Sequence, residues 1–127
     1  KTTNGVTVTV TPYFLDEQSS PQESHYVWAY QVNIMNSSST TMKLNHRNWV
    51  IIDANGKIIN VQGDGVVGEF PTLKPGESFE YTSGTPLKTT NGIMQGFYLM
   101  SQNNGEQLKI DIPTFSLDSP YNNKKFH

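Results

Sequence analysis

The chain has 127 residues and a net charge of −2, with 9 Lys and Arg against 11 Asp and Glu, and it contains no cysteine. This length predicts one domain, and the lack of cysteine excludes disulfides, a thiol nucleophile and cysteine-ligated zinc. Arg47 is the sole arginine, so the basic face of a nucleic-acid-binding protein is not expected. The longest apolar run, Trp49-Val50-Ile51-Ile52, is far too short to cross a membrane. We therefore expect a cytoplasmic protein that neither binds nucleic acid nor enters a membrane.

Alternation of apolar and polar residues dominates the first third of the chain. Residues 5–11 place Val6, Val8 and Val10 on one face and threonines on the other, and residues 25–35 repeat the pattern with aromatic side chains. A period of two with β-branched and aromatic residues predicts half-buried strands. The polar residues 16–24 between them are expected to form a loop. Aromatic residues along the chain are expected in the core, namely Tyr26, Trp28, Tyr30, Phe79, Tyr81, Phe97 and Tyr98.

Further strands are predicted downstream, with turns between them. They are residues 42–53, which continue past a candidate break at 46–48, and residues 58–61, 78–82, 93–100 and 107–112. About seven strands with no long helical period predict an all-β fold, an immunoglobulin- or fibronectin type III-like antiparallel β-sandwich. Leu73-Lys74-Pro75-Gly76-Glu77 resembles the turn before a late core strand of such sandwiches. We expect one domain over 1–127, with a core at about 5–117 and flexible tails at 1–4 and 118–127.

Residues 61–69, VQGDGVVGE, contain a G-x-G-x-x-G at Gly63, Gly65 and Gly68. In dinucleotide-binding folds this pattern opens a helix that holds the pyrophosphate, and an acidic residue follows about 20 positions later. Here Pro71 and Pro75 would break the helix, and no carboxylate stands at the required distance. We therefore interpret the glycines as turn, bulge or close-approach positions of an all-β chain.

A second interpretation of the same stretch stays open. Successive backbone N–H groups in a glycine loop can form a nest that binds an anion without any helix. This hypothesis expects the N–H groups of residues 63–68 to face solvent, with the arginine within reach. The candidate residues for a nucleotide pyrophosphate are Gly63, Asp64, Gly65, Gly68 and Arg47.

Several motifs in fixed order make the chain similar to one family. They include SSP (19–21), YVWAY (26–30), RNW (47–49), VQGDGVVGE (61–69), LKPGESFEYTSG (73–84) and MQGFY (94–98). Together they resemble the ApaG family, also called the DUF525 domain, along nearly the whole chain. The stretch after Pro120, YNNKKFH, departs from the family pattern, which leaves no role to carry over to His127.

The resemblance implies a fibronectin type III-like sandwich and no known enzymatic activity. It also implies a link to cobalt resistance and magnesium efflux in bacterial members, protein–protein contacts where the domain is part of larger eukaryotic proteins, and a pyrophosphate suggested to bind at the G-x-G-x-x-G. We therefore expect a non-enzymatic binding or adaptor module, with no catalytic residues, cofactor or metal ligands. A protein partner is expected, and a second copy paired through edge strands is a further candidate. This reading expects an exposed apolar patch or free strand edge and no pocket.

The residues His46-Arg47, close to Trp49, form the most distinctive polar cluster outside the glycine stretch. The arginine suits a carboxylate or phosphate, and the alternative is that it pairs with an acidic neighbour. A hydrolase hypothesis, the weakest, would depend on His46, because no histidine lies in a known catalytic motif. No metal-binding motif such as H-E-x-x-H occurs, and Asp64 with Glu69 could hold only a hydrated Mg²⁺.

Overall fold

The structure is a computed structural model that describes residues 1–121. Seven long strands and two two-residue strands make up most of it, and 3-10 turns at Asp16–Gln18 and Pro21–Glu23 occupy the predicted loop. None of these described elements is a helix long and apolar enough to span a membrane. The strands are β1 (Thr2–Thr3), β2 (Val6–Phe14), β3 (Tyr26–Asn36), β4 (Met42–Asp53), β5 (Ile58–Asp64), β6 (Thr72–Leu73), β7 (Ser78–Leu87), β8 (Gly92–Gln102) and β9 (Gln107–Leu117).

Two antiparallel sheets pack face to face. One has the order β1-β2-β3-β7, and the other has the order β5-β4-β8-β9 with β6 paired to β4. Every strand pair is antiparallel. The predicted all-β sandwich with about seven principal strands is therefore confirmed.

The core lies between the inward faces of the two sheets, as the alternation predicts. Val6 and Val8 are fully buried, and every second residue of β3 from Tyr26 to Ile34 is buried. Leu73 is buried beside the Pro75-Gly76 turn, which the Glu77 N–H closes on Lys74 O at 2.9 Å. The prediction that Phe97 lies in the core is wrong. This residue faces outward next to the buried Tyr98, and the Lys109 Nζ lies 4.7 Å from its ring centre.

Both ends of the described chain are hydrogen-bonded to the sandwich, and the flexibility expected for residues 1–4 and 118–127 stays a prediction. Residues 1–4 include β1, and there the Lys1 ammonium donates to Val8 O at 2.9 Å and Asn4 Nδ2 donates to Lys109 O at 3.1 Å. At the other end, Trp28 Nε1 donates to Asp118 O at 2.8 Å, and the Tyr121 ring packs on Phe14. The rest of the predicted tail, including the Lys124-Lys125 pair and His127, lies outside the described residues.

A β-bulge interrupts β4 without breaking it. The register with β8 shifts between Leu44 and His46, so Asn45 is the extra residue, and the predicted break at 46–48 is wrong. A single extra residue moves all later side chains to the opposite face. Leu44 faces the core before the bulge, and Arg47 and Trp49 face inward after it.

The two long sides of the sandwich differ. On one side β1 and β2 approach β9, where the Asp111 N–H donates to Thr3 Oγ1 at 3.3 Å. On the other side the edge strands β5 and β7 have no further strand beside them among residues 1–121. This second side, defined by β5 and β7, is called the open side below.

Candidate functional site

The glycine stretch ends β5 and folds into a tight turn. The Gly65 N–H donates to Asn45 O at 2.9 Å, and Val66 and Glu69 exchange two backbone hydrogen bonds of 2.9 and 2.8 Å. Since hydrogen-bonded pairs alternate along an antiparallel ladder, the Gly63 N–H also faces its partner Arg47 on β4. Within residues 63–68 the N–H groups of Gly63, Gly65 and Val66 are therefore hydrogen-bonded inside the protein, and those of 64, 67 and 68 have no backbone acceptor among residues 1–121.

Each glycine of the motif has its own structural reason. A Cβ at Gly65, where φ is 64°, would lie 2.2 Å from Glu69 O. Gly68 has open space around it but a φ of 82°, a region that other residues rarely enter. At Gly63 a Cβ would lie 2.7 Å from Arg47 Nη2 and 2.8 Å from Cζ. The geometry thus supports the structural interpretation, and a pyrophosphate site at these glycines stays a prediction that the occupied N–H groups of Gly63 and Gly65 do not favour.

Arg47 lies on the inward face of β4, half-buried at the open side. Its guanidinium rests on Gly63, and Nη1 donates to Asp64 O at 3.1 Å and to Gly65 O at 3.0 Å. Within residues 1–121 it forms no ion pair with a carboxylate. The expectation that Arg47 pairs with an acidic neighbour is therefore wrong, because two backbone carbonyls accept its hydrogen bonds instead.

His46 does not join Arg47. Successive strand residues point to opposite faces, so His46 lies on the outer face, where its Nδ1 is 3.4 Å from Asp64 Oδ1. Trp49 does share the inward face with Arg47. The predicted His46-Arg47 cluster is thus divided between two faces of the sheet, and a hydrolase site that uses both groups has no support in this geometry.

Buried phenols surround the inward arginine. Burial raises the pKa of Tyr30, Tyr81 and Tyr98 above the usual tyrosine value, and the nearby positive charge of Arg47 opposes that rise at each. The hydroxyls of Tyr81 and Tyr98 are hydrogen-bonded to each other. A phenol with the ordinary tyrosine pKa of about 10 is already protonated at neutral pH, and the raised pKa of these three moves ionisation further away. They therefore offer hydrogen bonds and apolar ring surface, not general bases.

No metal site emerges from the described residues. Nowhere in residues 1–121 do three or more His, Asp or Glu side chains converge so that they could share an ion. The Asp64 carboxylate lies next to the His46 ring, with Oδ1 3.4 Å from Nδ1. Asp53 Oδ1 accepts the N–H groups of Asn55 and Lys57, each at 2.9 Å, so this carboxylate closes the β4–β5 hairpin.

The open side carries two adjoining cavities that sequence reasoning missed. One, of about 240 Å³, is lined by Arg47, Tyr30, Trp49 and Val61 among others. The other, also of about 240 Å³, is lined by His25, Asp53, Lys57, Ile59, Leu87 and Lys88, and Pro86 borders both. The only signal in the sequence was the pattern of β5, in which the apolar residues Ile58, Ile59 and Val61 neither alternate, as in a half-buried strand, nor continue through the strand, as in a buried one. Ile58 is 59% exposed and Val61 is 39% exposed.

Comparison with known proteins supports the resemblance. The ApaG domain family matches residues 16–102. The chain belongs to the ApaG family. Protein ApaG of Paramagnetospirillum magneticum is 54% identical over 121 residues, which cover 95% of this chain and 93% of that protein. Protein ApaG of Bradyrhizobium diazoefficiens is 53% identical over 122 residues, covering 96% and 94% of the two chains.

A solved structure extends the likeness to the fold. The crystal structure of a Bordetella pertussis protein has a TM-score of 0.88 and 44% sequence identity to this chain, and the match covers 91% of this chain and 94% of that one.

Proposed function

We propose that this protein is a non-enzymatic binding or adaptor module that takes a protein partner on its open side. The observation that carries the proposal is the edge of β5, which no other strand pairs on its outer side within residues 1–121. It exposes Ile58 on the outer face of the sheet and Val61 on the inward face, where Val61 and Ile59 line the two cavities. Free edges with apolar side chains are templates for an added strand. The cavities depart from the flat surface that the adaptor hypothesis expected, and they supply places for side chains of the partner.

The strand β5 is the better template of the two open edges. By the alternation of the ladder, the N–H groups of Ile58, Asn60 and Gln62 point away from β4. No proline or lysine protects β5 between Ile58 and Asp64. In β7, by contrast, Pro86 offers no N–H at an outward position, a common means of blocking an edge.

The ApaG family is linked to cobalt resistance and magnesium efflux, and we propose that this protein contributes to such effects through its protein partner. In our proposal the module affects divalent-cation transport by contacting another protein and does not bind the ion itself. A direct interaction would be visible as saturable amide shifts on addition of Co²⁺ or Mg²⁺ to the protein alone, which would contradict this part of the proposal.

Site-specific cross-linking tests the proposal. A photoreactive residue at Asn60, on the β5 edge, should form adducts with a partner protein in cells, and the same residue at the exposed Tyr13 of β2 should not. Gln62→Pro should abolish the adducts, because it removes an outward N–H that the fold does not use. Gln62→Ala, which keeps that N–H, is the matched control.

The outcomes separate clearly. Adducts of equal yield at positions 60 and 13, or adducts that survive Gln62→Pro, would refute an edge-based binding site. Adducts that join two copies of this chain would identify the partner as a second copy.

A further inference from the structure

The guanidinium of Arg47 lies at the open side with most of its N–H donors unused by the described protein. A guanidinium has five N–H donors, and the protein uses only Nη1, through two carbonyl acceptors. No acceptor within residues 1–121 takes a hydrogen bond from Nε or Nη2. The cavity that Arg47 lines is therefore next to a positive charge with unused donors.

The guanidinium is also fixed in position by its contacts with β5 and the turn that follows it. Gly63 provides the space beneath it, because any Cβ there would come within 2.8 Å of Cζ, Nη1 and Nη2. The carbonyls of Asp64 and Gly65 fix one end of the fork. A fixed planar fork loses little conformational freedom when it binds a carboxylate through two parallel hydrogen bonds.

The charges that line the two cavities also favour a negatively charged ligand. The neighbouring cavity adds Lys57 and Lys88 and one carboxylate, Asp53, whose Oδ1 accepts N–H groups of its own hairpin. The lining of the two cavities therefore carries a net positive charge in a chain whose net charge is −2, while the exposed carboxylates of Asp64 and Glu80 lie outside both cavities on β5 and β7. Charge complementarity favours an acidic partner.

Resting on the proposed function, we infer that the open side binds an extended acidic segment of a partner protein, with an Asp or Glu carboxylate paired to Arg47. A strand added to β5 lies about 4.8 Å away, and its inward side chains reach the two cavities. Since inward positions alternate, an acidic residue opposite Gly63 places the residue two positions away opposite Val61. The recognised pattern is therefore an acidic residue and an apolar residue separated by one position.

Selection from a random peptide library tests the pattern directly. Peptides enriched on the wild-type protein should share this acidic–x–apolar or apolar–x–acidic spacing, and their binding should shift the backbone amide signals of β5. Replacing the peptide acid with its amide (Asp by Asn, Glu by Gln) should weaken binding about ten-fold or more. This comparison needs no altered protein, so it stands even if an Arg47 variant folds poorly.

Protein variants supply the complementary half of the experiment. Arg47→Lys keeps the charge but loses the fork, and Arg47→Met removes both, so affinity should fall in that order. The amide peptide should be insensitive to both changes. Lys109→Met, which removes a positive charge on β9 away from the open side, is the matched control and should leave affinity within about two-fold, because exposed distant charges are screened.

Each result decides a different point. Peptides that shift β5 amides but lack an acid, or whose affinity is unchanged in Arg47→Lys, would overturn the inference and leave the proposed function intact. A library that yields no peptide shifting β5 amides would overturn both. Saturable shifts at residues 63–68 with ATP or inorganic pyrophosphate, in place of peptide binding, would assign Arg47 to phosphate and would also overturn the inference.

Discussion

Replacing Gly65 with alanine provides the sharpest test of the glycine stretch, because Gly68 offers a matched control three residues away. Both glycines have positive φ, 64° and 82°. A methyl group at such an angle costs roughly 1–2 kcal/mol of folding free energy at either position. The two sites differ in their surroundings, and that difference sets the expected result.

The added methyl group at Gly65 would lie 2.2 Å from Glu69 O, where such contacts need about 3.3 Å. The turn must therefore move by roughly 1 Å, which breaks the Val66–Glu69 hydrogen bonds of 2.9 and 2.8 Å. Each bond contributes about 1 kcal/mol, so Gly65→Ala should cost about 3–4 kcal/mol. Nothing lies within 4 Å of a Cβ at Gly68, so Gly68→Ala should cost only about 1–2 kcal/mol.

Urea unfolding followed by tryptophan fluorescence measures both losses, since Trp28 and Trp49 are buried. The unfolding free energy of Gly65→Ala should fall at least twice as far as that of Gly68→Ala, with unchanged slopes. Losses equal to within about 0.5 kcal/mol, a typical experimental margin for such differences, would show that the turn relaxes freely and would refute the reasoning.

Three further predictions concern buried polar groups. Tyr98→Phe should cost about 1–3 kcal/mol by leaving the Tyr81 hydroxyl unpaired, and the double change to Phe should restore part of that loss in a double-mutant cycle of urea melts. Because burial raises the pKa of Tyr30, Tyr81 and Tyr98, the unfolded chain ionises first. Stability is then full below about pH 10 and falls above it by up to about 1.4 kcal/mol per pH unit for each phenol, which urea melts at rising pH would show. Asn36→Asp should destabilise by about 3 kcal/mol at pH 7, because Asn36 is fully buried and donates to Thr40 O and Leu73 O. These carbonyls should raise the new carboxyl's pKa, so the loss should shrink towards pH 3 as it is protonated; a constant difference from wild type across this range would contradict the assignment.

The faces of most strands could be predicted from the sequence because one physical rule decides them. Along Tyr26 to Ile34 the alternation is unbroken, so only one choice of face buries the aromatic and β-branched side chains. The glycine stretch could be separated from a dinucleotide fold for a similar local reason, since Pro71 and Pro75 exclude the helix. Both predictions depend only on neighbours in the chain.

The direction of Arg47 depended on one residue that sequence reasoning did not identify. If the alternation of Met42 and Leu44 had continued, His46 would face inward and Arg47 outward. Trp49 and Ile51 instead lie on the odd positions, so the buried face changes phase between Leu44 and Trp49. A bulge at Asn45 explains the same change while keeping the strand continuous.

The open side could not be predicted, because its features come from residues far apart in the sequence. Gly63 has no special φ, so its reason appears only when the Arg47 side chain crosses from the neighbouring strand. The cavities likewise need β5 and β7, which belong to different sheets. Tertiary contacts of this kind leave no local pattern.

Stability alone gives no reason for an arginine at position 47. A guanidinium taken partly out of water loses hydration, and it recovers little when its acceptors are two carbonyls and not a carboxylate. An apolar side chain of similar length would line the same cavity without that loss of hydration. The Asp64 carbonyl is exposed, so water can replace the arginine as its donor, and the Gly65 carbonyl is partly buried. The contacts of Arg47 with the fold thus recover little of its lost hydration, and the carboxylate that we propose from another molecule would use the donors that remain above Gly63.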